Sequence, residues 1–241
     1  MQQIALGYRC NNACAFCAPG GLRQLEPETD AKQVLEQIAR LSAGQRVAFV
    51  GGEPTLFDEL PHWAVLARQR GVVSVLVQTN ARKLALKGYA GALAESGIDV
   101  LDVSLHGASE AMHDYHTRAP GSFRQTIAGM RRARAARMTL GITTVVTRSN
   151  YRHLSEIIHV AHTLGARAVH LATLALVGSA RDNALQLQPA APLLVPHLRR
   201  AEARAASLGL VVVTTENLGN PGVPPLFAGM GRHAEDSATQ P

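Results

Sequence analysis

The stretch Ile4-Ala5-Leu6-Gly7-Tyr8-Arg9-Cys10-Asn11-Asn12-Ala13-Cys14-Ala15-Phe16-Cys17 runs a short apolar segment straight into three closely spaced cysteines. The apolar part, residues 4–8, has the length and composition of a buried strand. Six further segments of the same kind follow, at residues 47–50, 72–77, 100–105, 142–147, 169–174 and 210–214. Most are rich in Val, Ile and Leu without strict alternation, the pattern of strands covered on both faces.

Helical stripes lie between them. Val34, Leu35, Ile38 and Leu41 form one, closed by Gly44; Leu154, Ile157, Ile158, Ala161 and Leu164 form another, closed by Gly165. Leu194, Leu198, Ala201, Ala205 and Leu208 form a third, ending at Gly209. Ser122 with Gln125 has the form of a capping box, opening a helix that carries Phe123, Ile127 and Met130. Repeated strand–helix units predict a parallel sheet with right-handed crossovers. Six or seven such units in 241 residues fit an α/β fold, a partial (β/α)6 TIM-type barrel, better than a closed barrel of eight. We expect a single domain over residues 1–217 and a loose, Gly/Pro-rich C-terminal tail over 218–241, without internal repeats.

Hydrophobic residues make up 46% of the chain, which excludes a disordered polymer. A formal charge of +6 and a pI near 9.7 raise the question of nucleic acid. The basic clusters Arg131, Arg132, Arg134, Arg137 and Arg199, Arg200, Arg204 fall in helical patterns, where a solvated outer face accounts for them, and no aromatics interleave them for base stacking. The three cysteines all lie in the first twenty residues. An odd, tightly spaced set argues against a disulfide framework and for metal or cluster ligation in a reducing compartment. No secretory signal pattern opens the sequence and no run approaches the ~20 apolar residues of a membrane span, so the expectation is a soluble, cytoplasmic protein without a membrane partner.

Cys10, Cys14 and Cys17 have the spacing CxxxCxxC. Thiolates are soft, anionic ligands, and each of three on one loop can bind one iron of a cubane. With no fourth cysteine, one iron is left open to an exogenous ligand. A zinc site completed by one of the ten histidines remains the alternative on spacing alone.

With the aromatic Phe16 before the last cysteine, the motif resembles the signature of the radical S-adenosylmethionine (radical SAM) superfamily. Gly51-Gly52-Glu53-Pro54, after the second strand, is similar to that family's GGEP motif. Its glycines permit close backbone approach, and its carbonyls and carboxylate can accept bonds from an ammonium group. Thr79-Asn80 ends the third strand, with Ala81 in place of the family's glycine, and Ser104 and His106 end the fourth. The segment from His113 to Arg118, followed by Gly121-Ser122-Phe123, resembles one in the subgroup of molybdenum-cofactor cyclases and peptide maturases. The likeness covers approximately residues 4–175, and its motifs fall at the C-terminal ends of successive strands, where parallel barrels build active sites.

The resemblance implies a [4Fe–4S] cluster on Cys10, Cys14 and Cys17, with S-adenosylmethionine chelating the open iron. Reductive cleavage of the sulfonium would release a 5′-deoxyadenosyl radical that abstracts hydrogen from a substrate. Phe16 would then pack near the adenine; Gly51, Gly52, Glu53 and Pro54 would hold the methionine amino group. Ser104 would touch the ribose or the methionine carboxylate, and Arg118 would pair with that carboxylate, a task suited to a planar guanidinium. Thr79 and Asn80 belong to the same implied set, and Thr143, Thr144 and His170 are candidates to face the same cavity, Thr144 among the cofactor contacts. His106 is a candidate for substrate binding or proton transfer, and a structural hydrogen bond would suit it equally; many peptide-modifying relatives carry an aspartate there. Three cysteines leave none for the extra clusters of that subgroup, which counts against its two named activities. The implied partners are a small-molecule or peptide substrate and an external reductant such as flavodoxin or ferredoxin. RNA is a second substrate option that rests on charge alone, and an iron–sulfur electron-transfer or sensor protein is the non-enzymatic alternative.

Overall fold

Seven parallel strands, hydrogen-bonded in chain order, form one sheet in the computed structural model, which describes residues 1–20 and 29–214. They are β1 (Gln2–Ala5), β2 (Arg46–Val50), β3 (Ser74–Thr79), β4 (Val100–Ser104), β5 (Thr139–Val145), β6 (Ala168–Ala172) and β7 (Val211–Thr214). Every apolar segment read as a strand forms one, with ends displaced by up to three residues, as at Tyr8 and Ile142. Because β1 and β7 are the two ends of the order, the sheet is that of an open barrel, with β7 added beyond six units.

Helices connect the strands: α1 (Ala31–Ala39), α2 (Leu60–Gln69), α3 (Tyr89–Glu95), then α4 (Glu110–Thr117) and α5 (Ser122–Ala135) in tandem, and α6 (Leu154–Thr163). Two single-turn helices, α7 (Ser179–Asp182) and α8 (Ala184–Leu187), precede α9 (Ala191–Ser207). Among the described residues, none is long and apolar enough to cross a membrane.

Alternate residues on each strand serve different cores. Phe49, Val75, Val77, Leu101, Val103, Ile142, Val169 and Leu171 pack outward with helical residues such as Ile38, Leu60, Leu93, Met130 and Ile157. The inward face carries a small apolar cluster, Ala48, Leu76, Val100 and Ala168, with Val50 and Val213 beside it. Each fully buried Leu, Ile or Phe contributes about 2–3 kcal/mol, so the helix-facing layer carries most of the stability. The inner face is thereby left for polar residues nearer the strand ends.

Two local expectations are corrected. Leu35, placed in the buried stripe of α1, is 41% exposed, while Val34, Ile38 and Leu41 are buried. Ser122 does not cap α5: the N-cap is Gly121, at φ 78°, and the cap comes from the preceding helix. The Asp114 carboxylate accepts from the N–H groups of Gly121 (2.6 Å) and Phe123 (2.8 Å) and from the Ser122 hydroxyl (2.7 Å). Gln125 instead accepts from Arg82 at 2.7 Å. The tail expected over residues 218–241 lies outside the described residues.

Candidate active site at the strand ends

The three cysteines lie on the loop leaving β1, each partly exposed. Neighbouring elements grip this loop from three directions. At the end of α4, the carbonyls of Thr117 and His116 accept from the N–H groups of Ala13 (2.8 Å) and Ala15 (3.0 Å). After β6, Ser179 N–H donates to the Cys17 carbonyl (3.0 Å) and the Asn183 amide to the Ala15 carbonyl (3.2 Å). Gly178, at φ 51°, makes that approach feasible, since a Cβ there would lie 2.0 Å from the Ala18 carbonyl oxygen. Beyond β3, the Arg82 guanidinium donates to the Asn11 carbonyl and to Asn12 Oδ1 (2.6 Å), and the Asn80 amide donates to Asn11 Oδ1 (2.6 Å).

Two N–H donors point at the Cys10 sulfur, from the Asn12 backbone (3.4 Å) and Asn80 Nδ2 (3.9 Å). Hydrogen bonds of this kind stabilise a thiolate and tune the potential of a cluster bound to it. A single zinc ion would need donors about 2.3 Å from one point. Among the described residues, no three His, Cys, Asp or Glu side chains are grouped to hold one ion. A cubane makes a different demand, one thiolate per iron, and three cysteines along one pinned loop with amide donors at hand fit it.

The Gly51–Pro54 turn lies flat on the backbone just before Cys10. Gly52 and Glu53 donate their N–H groups to the carbonyls of Gly7 and Arg9, both at 2.7 Å. A Cβ on Gly51 would stand 2.5 Å from the Gly7 oxygen, and one on Gly52 2.2 Å from the Arg9 oxygen, so only glycines allow the contact. The Glu53 side chain departs from its expected role. Its carboxylate is turned inward, 1% exposed, and is committed to the protein's own donors. Oε1 accepts from Thr55 N–H (3.2 Å), the Thr55 hydroxyl (2.5 Å) and the Thr79 hydroxyl (2.5 Å); Oε2 accepts from Asn80 N–H (2.6 Å). Burial pushes its pKa up, and those four donors pull it back toward the charged form. Glu53 and Thr79 therefore knot the turn to the end of β3.

Phe16 sits over a buried group of histidines. Its ring meets His106 edge-on, with centroids 4.7 Å apart, and lies 6.0 Å from His116. His113 stacks nearly parallel on the far side of His106, at 5.9 Å. The tautomers follow from their partners. His113 Nδ1 accepts from the His106 backbone N–H (3.1 Å) and His106 Nδ1 from the Val145 backbone N–H (3.3 Å), so each neutral ring carries its proton on Nε2. His116 Nδ1 must donate to the Met112 carbonyl (2.7 Å), leaving Nε2 to accept from Thr147 (2.7 Å) and Ser149 (2.8 Å). Burial lowers the pKa of all three, that of His113 to about 4, and in His106 the neighbouring imidazoles add to the effect. His106 is thus a neutral packing partner beneath Phe16, its backbone carbonyl held by Asn150 Nδ2 at 3.1 Å.

The remaining candidates separate by face. Ser104 and Thr143 are paired across β4 and β5 on the inward side. Thr144 is one residue out of phase: its hydroxyl donates to the Leu105 carbonyl at 2.6 Å on the helix-facing side, fully buried. It is therefore removed from the cofactor set. Arg118, at φ 50°, ends α4 and reaches Asn183 Oδ1 at 3.3 Å, beside the cysteine loop but at its exposed edge. The sequence reading missed Arg82, Asn150 and Asn183, whose isolated polar side chains carry no local signal, and it included Asp114 only as part of the segment from His113 to Arg118, without its capping role. It also missed Asp102, on the inward face of β4.

A family model described as the Radical SAM superfamily matches residues 4–161. The PqqA peptide cyclase of Gluconobacter oxydans is 30% identical over 211 residues, covering 86% of this chain and 58% of that protein. A probable GTP 3′,8-cyclase of Sulfolobus acidocaldarius is 28% identical over 183 residues, covering 75% and 58%. The chain thus spans less than two thirds of the length of these curated relatives. Among solved structures, Streptococcus suis SuiB bound to S-adenosylmethionine superposes with a TM-score of 0.68 at 17% identity, over 95% of this chain and 52% of that one, a likeness of fold.

Proposed function

This chain belongs to the radical SAM superfamily, and from that premise we propose that it is an enzyme acting through a [4Fe–4S] cluster and S-adenosylmethionine on a small-molecule or peptide substrate. The observation that carries the proposal is the pinned loop of Cys10, Cys14 and Cys17, with amide donors on the Cys10 sulfur and the Gly51–Pro54 turn laid against it. When bound, the cofactors supply one-electron cleavage of a sulfonium and a carbon radical able to abstract hydrogen.

The chain's own residues bind, orient and shield. Cys10, Cys14 and Cys17 would hold three irons. The backbone of Gly51, Gly52, Glu53 and Pro54 would take the ammonium of the methionine moiety, since the Glu53 carboxylate is engaged elsewhere. Asn80, Ser104 and Arg118 would meet its polar groups, Phe16 would cover the adenine, and Thr79 would act through Glu53. A buried, neutral His106 behind Phe16 fits a wall that excludes water better than a proton carrier.

The core domain is proposed over residues 1–217. A reductant such as flavodoxin or ferredoxin would supply the electron, and the cytoplasm would keep the thiols reduced. The peptide and nucleotide cyclases among the relatives support an organic substrate in the barrel mouth. The test is anaerobic reconstitution, then dithionite and S-adenosylmethionine. The expected result is release of 5′-deoxyadenosine and methionine; a cluster-loaded protein that leaves the nucleoside intact would be an electron carrier instead.

A further inference from the structure

The inward face of the sheet turns polar toward the strand ends. The ladder sets Asp102 between Gln78 and Gly141; one step nearer the rim, it sets Thr143 between Ser104 and His170. Asp102 is 1% exposed, with the Thr143 hydroxyl on Oδ1 at 2.8 Å and the Gln78 amide on Oδ2 at 3.2 Å. Both donors are neutral, and a carboxylate offers about four acceptor positions, so roughly half its capacity and all its charge are unmatched by them. Gly141, beside it, places no side chain in the lumen.

His170 is 8% exposed, and among the described residues neither ring nitrogen has a hydrogen-bond partner. Burial lowers its pKa, so the ring is neutral, with one N–H and one lone pair, and the register with Thr143 puts it on the inward face that carries Asp102. Orphaned buried polar groups each cost about 1–3 kcal/mol, and folded proteins rarely keep them without use.

We propose that Asp102 and His170 form a substrate subsite on the inner wall of the barrel, below the cysteine loop, that receives a protonated primary amine. This deepens the enzymatic function proposed above and rests on it. A hydroxyl or amide would satisfy Asp102's lone pairs and leave a buried charge uncompensated, whereas an ammonium supplies donors and the opposite charge together. Carboxylate and phosphate groups are repelled at the same point. His170, flanking Thr143 on the side away from Asp102, meets a second polar atom of the substrate. The reacting carbon is then held above, toward the strand ends that bear Ser104 and the cysteine loop.

The test compares two probes differing only in the side-chain ammonium, N-acetyl-lysine amide and N-acetyl-norleucine amide. They are titrated into the full, anaerobically reconstituted chain carrying 13C at its histidine Cε1 positions. The lysine probe is expected to shift the His170 signal and bind at least tenfold more tightly than the norleucine probe. Asp102→Asn, whose folding is checked by its melting curve, is expected to abolish that difference. Equal binding of the two probes, binding of neither, or a preference that survives Asp102→Asn overturns the proposal, and the first comparison decides even if the variant does not fold. 5′-Deoxyadenosine release is measured on the same unmodified sample. Its absence would sink the enzymatic reading without touching the amine preference, and its presence without the preference would sink the subsite alone.

Discussion

Replacing Asp102 with asparagine is expected to stabilise the protein at neutral pH, because the carboxylate is buried without a counter-charge among its named partners. Burial raises its pKa from 3.8 to about 6, while the hydrogen bonds from Thr143 and Gln78 offset part of that. Below pH 3.8 the folded and unfolded chains both hold the proton, and the group contributes no penalty. Between 3.8 and about 6 only the unfolded chain releases it, so folding loses free energy steadily as pH rises. Above about 6 both are ionised and the loss levels off near 3 kcal/mol, from about two pKa units at 1.36 kcal/mol each. Asparagine does not titrate, keeps an oxygen for Thr143, and lets the Gln78 amide turn to meet its NH2, so the variant escapes the loss. Paired urea denaturation of the full chain from pH 3 to 8 measures the gap between the two proteins. It should open between pH 4 and 6 in favour of the variant and stay constant above. A gap independent of pH, or a variant weaker throughout, would refute the picture of an uncompensated buried charge.

Other perturbations probe the rim. Cys14→Ala should remove most iron from the reconstituted protein and abolish 5′-deoxyadenosine formation, as measured by iron content and chromatography; full loading would dismiss the cysteine assignment. Gly52→Ala drives a Cβ to 2.2 Å from the Arg9 carbonyl. It should lower stability by about 2–4 kcal/mol in denaturant titration and impair iron loading, and a neutral outcome would show that the turn does not lie against residues 7–9. Asp114→Ala removes three bonds at the start of α5 and should cost about 1–2 kcal/mol, with Asp114→Asn recovering part of it. Arg118→Ala should weaken S-adenosylmethionine binding by calorimetry while leaving iron content unchanged; unaltered affinity would exclude Arg118 from the site.

The strands were legible because an apolar run of four to six residues, set between glycines and polar turns, is too short for a buried helix and suits a covered strand. The cysteine spacing and the double glycine were legible because each imposes a demand that few residue types meet. The phase of a strand was not. In β5 both faces are covered, so Thr143 and Thr144 look alike in sequence, and only the ladder assigns one inward and its neighbour to the helices. The orientation of Glu53 was hidden for a related reason: whether a carboxylate faces a ligand or the protein depends on donors from Thr79 and Asn80, far away in the chain. The same applies to the cap of α5, where Ser122 had the right local pattern but Asp114, one helix earlier, reached the site first.

The attachment of Ser179 and Asn183 to the cysteine loop sets an order of events during synthesis. Asn183 is 168 residues beyond the Ala15 carbonyl it binds. At a typical elongation rate, roughly ten to thirty seconds separate the two at the ribosome. Through that interval the nascent cysteine loop lacks one of its restraints, and a chain released at residue 161 would never gain it. The loop that carries the three cysteines is therefore fully fastened only late, by a segment of the polypeptide that contributes none of them.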